Sequence, residues 1–288
     1  MPTGSSVLGT YVDSWDPGPV TDEEVLSAEP VAALSAVLNQ SKSVAGVGEA
    51  LPPLWQWLYF LRWPKQDELG EDGHPRDGHF LPPIPDRQRM FAGGRCEISE
   101  PLSVGARTER ISSIANVAVK QGRTGEMVFV TQRNEFRQHG RTCLVEEQDI
   151  VYRSGKSAGD HPVVVDTSAT PQSDGEWQLA DQPDPALLFR FSALTANAHR
   201  IHYDSPYVLD EEGYPGLVVH GPLLAVLMLE LLRRNEPRRV RSLSFRLRSP
   251  VFAGEQVVAS GNSTSNGAVL QVATHRDARH ATAEVTFA

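Results

Sequence analysis

The chain has 288 residues, 40% of them hydrophobic and 22% charged, and a net charge of −9. That length suits one large domain or two ordinary ones, and the composition is that of a packed globular protein rather than a disordered chain or a coiled coil. The acidic balance excludes a protein that works by covering nucleic-acid phosphates with a basic face.

The N-terminus has no basic segment leading into an apolar run, and no apolar run reaches the ~18 residues of a membrane span, so a cytoplasmic protein without membrane contact is expected. Thr21 and Glu24 have capping-box spacing, which predicts a helix over about 22–38 with Pro30 as its weak point. The stretch "LPPLWQWLYFLRWP" (51–64) is the most aromatic of the chain. It reads first as core, with an apolar ligand groove formed by Trp55, Trp57 and Tyr59 as the alternative. Residues 65–88 are rich in Pro, Gly and charge and read as a long ordered loop or lid. Alternating strands follow at 89–99, 106–120, 126–137 and 142–153, separated by turn signals at Gly105, 122–125 and His139-Gly140. Cys96 and Cys143 fall in these strands, have no CxxC or zinc-knuckle spacing, and read as buried thiols.

Residues 154–184 carry Ser, Gly, Asp and Pro throughout and read as a linker. Beyond it the pattern repeats. An apolar strand is predicted over 187–194, and a helix over 222–232 that is apolar everywhere except Glu230, which places it inside the protein. Four alternating strands follow at 240–248, 256–261, 268–274 and 280–287. "EPLSVGA" (100–106) and "SPVFAGE" (249–255) share a Pro, an apolar pair and a Gly, each between two strands. These patterns predict an α+β fold: a double hotdog, two antiparallel sheets each wrapped round a central helix and joined edge to edge. The expected division is an N-terminal hotdog at 1–155, a linker at 156–184 and a catalytic C-terminal hotdog at 185–288.

The chemistry concentrates in "LTANAHRIHYD" (194–204). Asn197, His199 and His202 could satisfy loop backbone groups, or the two histidines could join His220 as metal ligands, although no carboxylate or thiolate lies at ligand spacing. The next element tips the balance. His220-Gly221-Pro222 opens the apolar helix, with Pro222 at its first position, so the amides and positive dipole end of that helix face whatever oxygen lies before it. An imidazole base, a water-holding amide and an oxyanion site then fall within one short stretch, and thioester hydration uses those three parts.

"FSALTANAHRIHYD" with "YPGLVVHGPLLAVLML" resembles the loop and helix of the MaoC-like (R)-specific enoyl-thioester hydratases and dehydratases, whose usual pattern is Asp-x-Asn-Pro-Ile-His. Aligned on Ile201-His202, Asn197 stands at the family's catalytic Asp, His199 at its Asn and Arg200 at its Pro. Together with "LPPLWQWLYFL" and "RMFAGGRCEISEPLSVG", the chain is similar to a narrower branch, the 3-methylfumaryl-CoA (mesaconyl-C4-CoA) hydratases. The resemblance implies catalytic roles for Asn197, His202 and the Gly221 amide, with acid–base work resting on His202 because an amide accepts no proton.

Further expectations attach to the neighbours. His199 and His220 are placed at the substrate, with loop-stabilising and helix-packing roles as their alternatives, and Asp204 and Tyr203 support the loop. Arg200 is expected to meet a substrate carboxylate. "RRNEPRRVRSLSFRLR" (233–248) holds seven arginines, and the cluster, with Arg246 and Arg248 on its strand, is expected at the phosphates of CoA. The expected activity is a hydro-lyase adding water to, or removing it from, an α,β-unsaturated acyl-CoA, best mesaconyl-C4-CoA to citramalyl-CoA, without metal or cofactor. A homodimer is compatible with it. The alternatives are a general (R)-3-hydroxyacyl thioester dehydratase and a hotdog that binds acyl thioesters without turnover.

Overall fold

The computed structural model describes residues 7–122, 125–155 and 163–288; residues 123–124 of an expected turn and 156–162 of the expected linker lie outside them. A single turn of helix, α1 (Gly9–Val12), precedes β1 (Val20–Val25) and α2 (Ala28–Val37). Four long strands follow: β2 (Arg87–Ile98), β3 (Arg107–Gly122), β4 (Gly125–Gln138) and β5 (Arg141–Ser154). The second half runs β6 (Trp177–Asp181), α3 (Pro185–Leu194), α4 (Ser205–Asp210), α5 (Gly221–Asn235), β7 (Val240–Leu247), β8 (Val257–Ser263), β9 (Gly267–Ala273) and β10 (Ala281–Phe287). All ten strands form one sheet in the order β1-β3-β4-β5-β2-β7-β10-β9-β8-β6, with every pairing antiparallel. The order is a palindrome. Each half contributes five strands, and the halves meet where β2 pairs with β7 from Gly93↔Arg246 to Glu97↔Ser242, so the edges expected to join do join.

Several elements differ from the sequence reading, and the palindrome explains the first two. Thr21 to Glu24 lie in β1 rather than in a capping box, with inward positions alternating. Asp22 there accepts from Arg110 at 2.7 Å, and Glu24 accepts from the Phe60 amide. The helix begins only after Ser27, which puts Pro30 in the first turn of α2, where its missing N–H costs nothing. In the second half, residues 187–194 form helix rather than strand: Asp184 caps it through the Leu187 amide at 2.7 Å and Pro185 starts it. Each half is therefore strand, helix, then four strands. Ser35 and Ser192 hold the same place in the two helices, since each accepts the amide five residues on, Gln40 N and Asn197 N respectively, at 2.9 Å. β6 lies within the stretch read as linker and closes the far edge of the sheet on β8.

The two central helices are unequal. α5 is buried at every residue from Leu223 to Leu232, and the inner face of the second-half sheet closes round it. In front of α5 the chain is stitched to the 249–255 loop by Val219 N to Val251 O and Ala253 N to Leu217 O, both 2.8 Å. The first half repeats this stitch with Leu51 N to Leu102 O at 2.7 Å and Val104 N to Glu49 O at 2.9 Å. Gly105 and Gly254 end the two loops at φ 86° and 85°, a left-handed conformation that glycine adopts freely. By that register the counterpart of α5 is the single 3-10 turn Trp55–Leu58. Among the described residues no helix is long and apolar enough to cross a membrane.

Candidate active site

The C-terminus of α3 throws the chain into its loop through Thr195 and then Ala196, at φ 49°. The Asn197 side-chain oxygen accepts from the His199 amide at 3.0 Å, shaping a 3-10 turn over Arg200–His202. Val218 fixes that turn twice: its amide donates to Ile201 O at 2.9 Å and its carbonyl lies 2.7 Å from His202 Nδ1. Since a carbonyl only accepts, Nδ1 carries the proton and Nε2 the lone pair.

His202 is almost wholly buried and its ring stacks on that of His220, 3.6 Å between centroids and 18° between planes. His220 is fully buried and its Nε2 meets Ser192 Oγ at 2.8 Å. Burial pushes His202 down to about 3, against the pull of the Val218 carbonyl and with help from His199. Burial also holds His220 well below its ordinary value. Burial, with His74 next, brings His199 to about 3, against the opposing charge of Asp72. The three rings are therefore neutral near pH 7. The arrangement can do what a positioned neutral imidazole does: take a proton through Nε2 from a water bound against it.

Gly221 opens α5 next to His220, and a Cβ on it would stand 2.3 Å from Leu247 Cδ1. The first-turn amides of a helix have no acceptor within it, so this end can donate to a developing oxyanion.

The fold thus gathers Asn197, His199, Arg200, His202, His220 and Gly221, but not in all the expected roles. His220 has no accessible surface; it backs His202 rather than touching substrate. Arg200 is spent on the protein: Nε and Nη2 meet Asp204 at 2.9 and 2.8 Å, Nη1 donates to Glu71 O at 2.9 Å, and the guanidinium lies over Tyr207. It is a clamp for the loop, not a free cation for a carboxylate. Trp55 and Tyr59 are core, the latter donating to Ser27 O at 2.5 Å, so neither offers a face to a ligand. Trp57 is half-buried, bonded to Glu146 and edge-on to Phe91 and Phe245. Arg246 and Arg248 are exposed; Arg246 lies on the alternate face of β7 from Leu247 and so is turned away from the Gly221 mouth, and Arg248 lies just past the end of the strand. Three arginines of that cluster are held internally, Arg233 and Arg234 by Glu230 and Arg238 by Glu236.

Sequence reasoning missed two residues. The loop of the first half brings Asp72 and His74 onto the 194–204 loop: His74 Nδ1 lies 2.9 Å from Asp72 Oδ2, and the His74 and His199 rings are 4.1 Å apart. Ligand atoms of Asp72, His74 and His199 lie within 4.8 Å of one another, whereas His199, His202 and His220 form no such group among the described residues. Only the tertiary fold announces Asp72 and His74, which precede His199 by more than a hundred residues.

Residues 54–253 match the family described as hydroxyacyl-thioester dehydratase type 2. The chain is 46% identical over 231 residues to a mesaconyl-C(4)-CoA hydratase of Chloroflexus aurantiacus, covering 80% of this chain and 81% of that one. It is 25% identical over 277 residues to the mitochondrial hydroxyacyl-thioester dehydratase type 2 of Schizosaccharomyces pombe, covering 85% and 90%. Its fold matches that of a Mycobacterium tuberculosis protein described as a double hotdog, with a TM-score of 0.60, 14% identity and coverage of 96% and 97%.

Proposed function

The chain belongs to the hydroxyacyl-thioester dehydratase type 2 family, and on that premise we propose that it is a cytoplasmic hydro-lyase for α,β-unsaturated acyl-CoA thioesters, with mesaconyl-C4-CoA as its substrate and citramalyl-CoA as its product. The observation that carries the reading is His202, a neutral imidazole with Nδ1 tied to Val218 O and Nε2 left to act as base, beside the amide end of α5. In the proposed reaction the thioester carbonyl accepts from the Gly221 amide, and Nε2 removes a proton from water as its oxygen bonds to the β-carbon. The electron pair of the double bond passes to the α-carbon and the carbonyl oxygen, where the helix end stabilises it. The imidazolium then returns its proton to the α-carbon, which restores the base and balances the addition. Asn197 spends its oxygen on the His199 amide and keeps an N–H₂ to orient the water.

The 46% relative supports the dicarboxylic acyl group, and the 25% relative supports a second reading, a dehydratase for unbranched hydroxyacyl thioesters. Purified protein offered mesaconyl-C4-CoA, crotonyl-CoA and a longer enoyl-CoA separates them: turnover of the first is expected to exceed the others. Activity confined to the long unbranched chain would replace the first reading with the second. His202→Ala is expected to lower kcat about 1000-fold while the far-UV spectrum is kept, and a variant that still turns over normally removes His202 as the base.

A further inference from the structure

The family's usual carboxylate is absent from the catalytic loop, where Asn197 stands, yet the site holds a carboxylate. It comes from the other half of the molecule. A tight hairpin, closed by the Leu69↔Pro75 bridge and by Gly70 N to His74 O at 2.7 Å, carries Asp72, Gly73 and His74 at its tip. The tip is built onto the catalytic loop: Arg200 N donates to Asp72 O at 2.8 Å and Arg200 Nη1 to Glu71 O at 2.9 Å. Gly73, at φ 86°, packs so closely that a Cβ there would stand 1.9 Å from Ala198 O. Within the tip, Asp72 holds His74 at two points, Oδ1 accepting the His74 amide and Oδ2 facing Nδ1, both at 2.9 Å.

We propose that Asp72 and His74 are positioning residues of the catalytic site, a carboxylate-backed imidazole lent by the N-terminal half that sets the orientation and charge of His199 and, through it, of His202. The path is continuous. The His74 ring lies 4.1 Å from that of His199, and the His199 and His202 rings meet edge to face at 5.6 Å and 88°. His220 stacks on His202, so the base is in contact with two neutral rings. As His202 becomes an imidazolium during water addition, its surroundings must accept a positive charge in a buried place, and among the described residues the carboxylate bonded into the histidine row is that of Asp72. The charges that act most on His199 are those of His74, Asp72, Arg89 and His220, and among them that of Asp72 favours the cation. No proton need travel along the row: Asp72 acts by its field and by locking His74, as the carboxylate behind a catalytic imidazole does elsewhere.

The inference rests on the hydratase reading for its kinetic arm but not for its spectroscopic one. Asp72→Asn keeps the shape and the amide bond of the tip while removing the charge. In that variant the ring signals of His199 and His202, read by NMR at pH 7 in the full chain, are expected to shift, and those of His275, far along the chain in the β9–β10 turn, to stay. On whichever enoyl-CoA the unaltered protein turns over, kcat is expected to fall about 100-fold with KM within a factor of three, and Asp72→Glu to recover part of it. Unmoved His199 and His202 signals overturn the proposal whatever the substrate proves to be. So does a loss of kcat that follows only the loss of folded protein, or a bound metal ion at one per chain that Asp72→Asn removes. If the unaltered protein turns over none of the thioesters, the functional reading falls while the ring signals still decide this one.

Discussion

Two glycines border the candidate site, and their different surroundings set different responses to an added methyl. At Gly73 the obstacle is the backbone oxygen of Ala198, and φ is 86°, so Gly73→Ala can be relieved only by lifting the hairpin tip off the loop. At Gly221 the obstacle is the end of the Leu247 side chain, which can change rotamer, so Gly221→Ala should cost about 1–3 kcal/mol, the range for overpacking. We expect Gly73→Ala to show the larger drop in unfolding midpoint and Gly221→Ala to show the larger drop in kcat relative to stability, since in the proposed reaction its amide meets the thioester carbonyl. Thermal melts beside initial rates check both, and a Gly73→Ala protein as stable as the parent refutes the tight docking of the tip. At this scale the sequence set His202, Asn197 and Gly221, which the fold keeps together, in one stretch around the start of a helix. It hid Asp72 and His74 because their partners are distant in the chain, and it misled at Arg200, whose charge is answered by Asp204 four residues on.

Among the elements, α5 is the one that both folds the second half and aims its end at the site. Met228 has no accessible surface and lies in the middle of it. Met228→Ala leaves a cavity between helix and sheet and should cost about 2–5 kcal/mol in denaturant unfolding. A loss under about 1 kcal/mol would mean the helix can settle into the gap. β6 lay unseen in the stretch read as a linker, but β2 to β5 and β7 to β10 were legible from their alternation, and α5 from being apolar all round. β1 and α3 were not, for opposite reasons. β1 is a polar edge strand whose inward carboxylates, Asp22 and Glu24, mimic a helix start because Arg110 and the Phe60 amide answer them from outside the local sequence. α3 is short and apolar, and its burial at Leu188, Phe191 and Ser192 follows helical spacing that ten residues display too briefly to distinguish from strand. The stunted counterpart of α5 was also unreadable: nothing in "LPPLWQWLYF" says that one 3-10 turn will end it, which happens when Phe60 takes φ 57° and the chain leaves for the hairpin loop.

For the whole molecule, the buried histidines make stability depend on pH in a direction set by their burial. The folded protein holds His202 at about 3, whereas an unfolded histidine titrates near 6.5. Between those values the unfolded chain binds a proton that the folded one refuses, so stability is complete above about pH 6.5 and declines as pH falls toward 3. His199, brought to about 3, adds a slope of the same sign, and so does His220, held below its ordinary value. Asp72, held at about 2 because the bond to and charge of His74 outweigh the effect of its burial, adds its own loss only below about pH 4. The first acid-induced loss therefore comes from the imidazoles, on the order of 1 kcal/mol per pH unit for His202 alone. Unfolding midpoints measured from pH 7 to 4.5 should fall steadily, and His202→Asn should flatten that fall, because the substituted side chain has no proton to gain. If the parent and the variant lose stability in parallel over that range, His202 is not held neutral by the fold, and a base poised for water at neutral pH must be sought in another ring of the row.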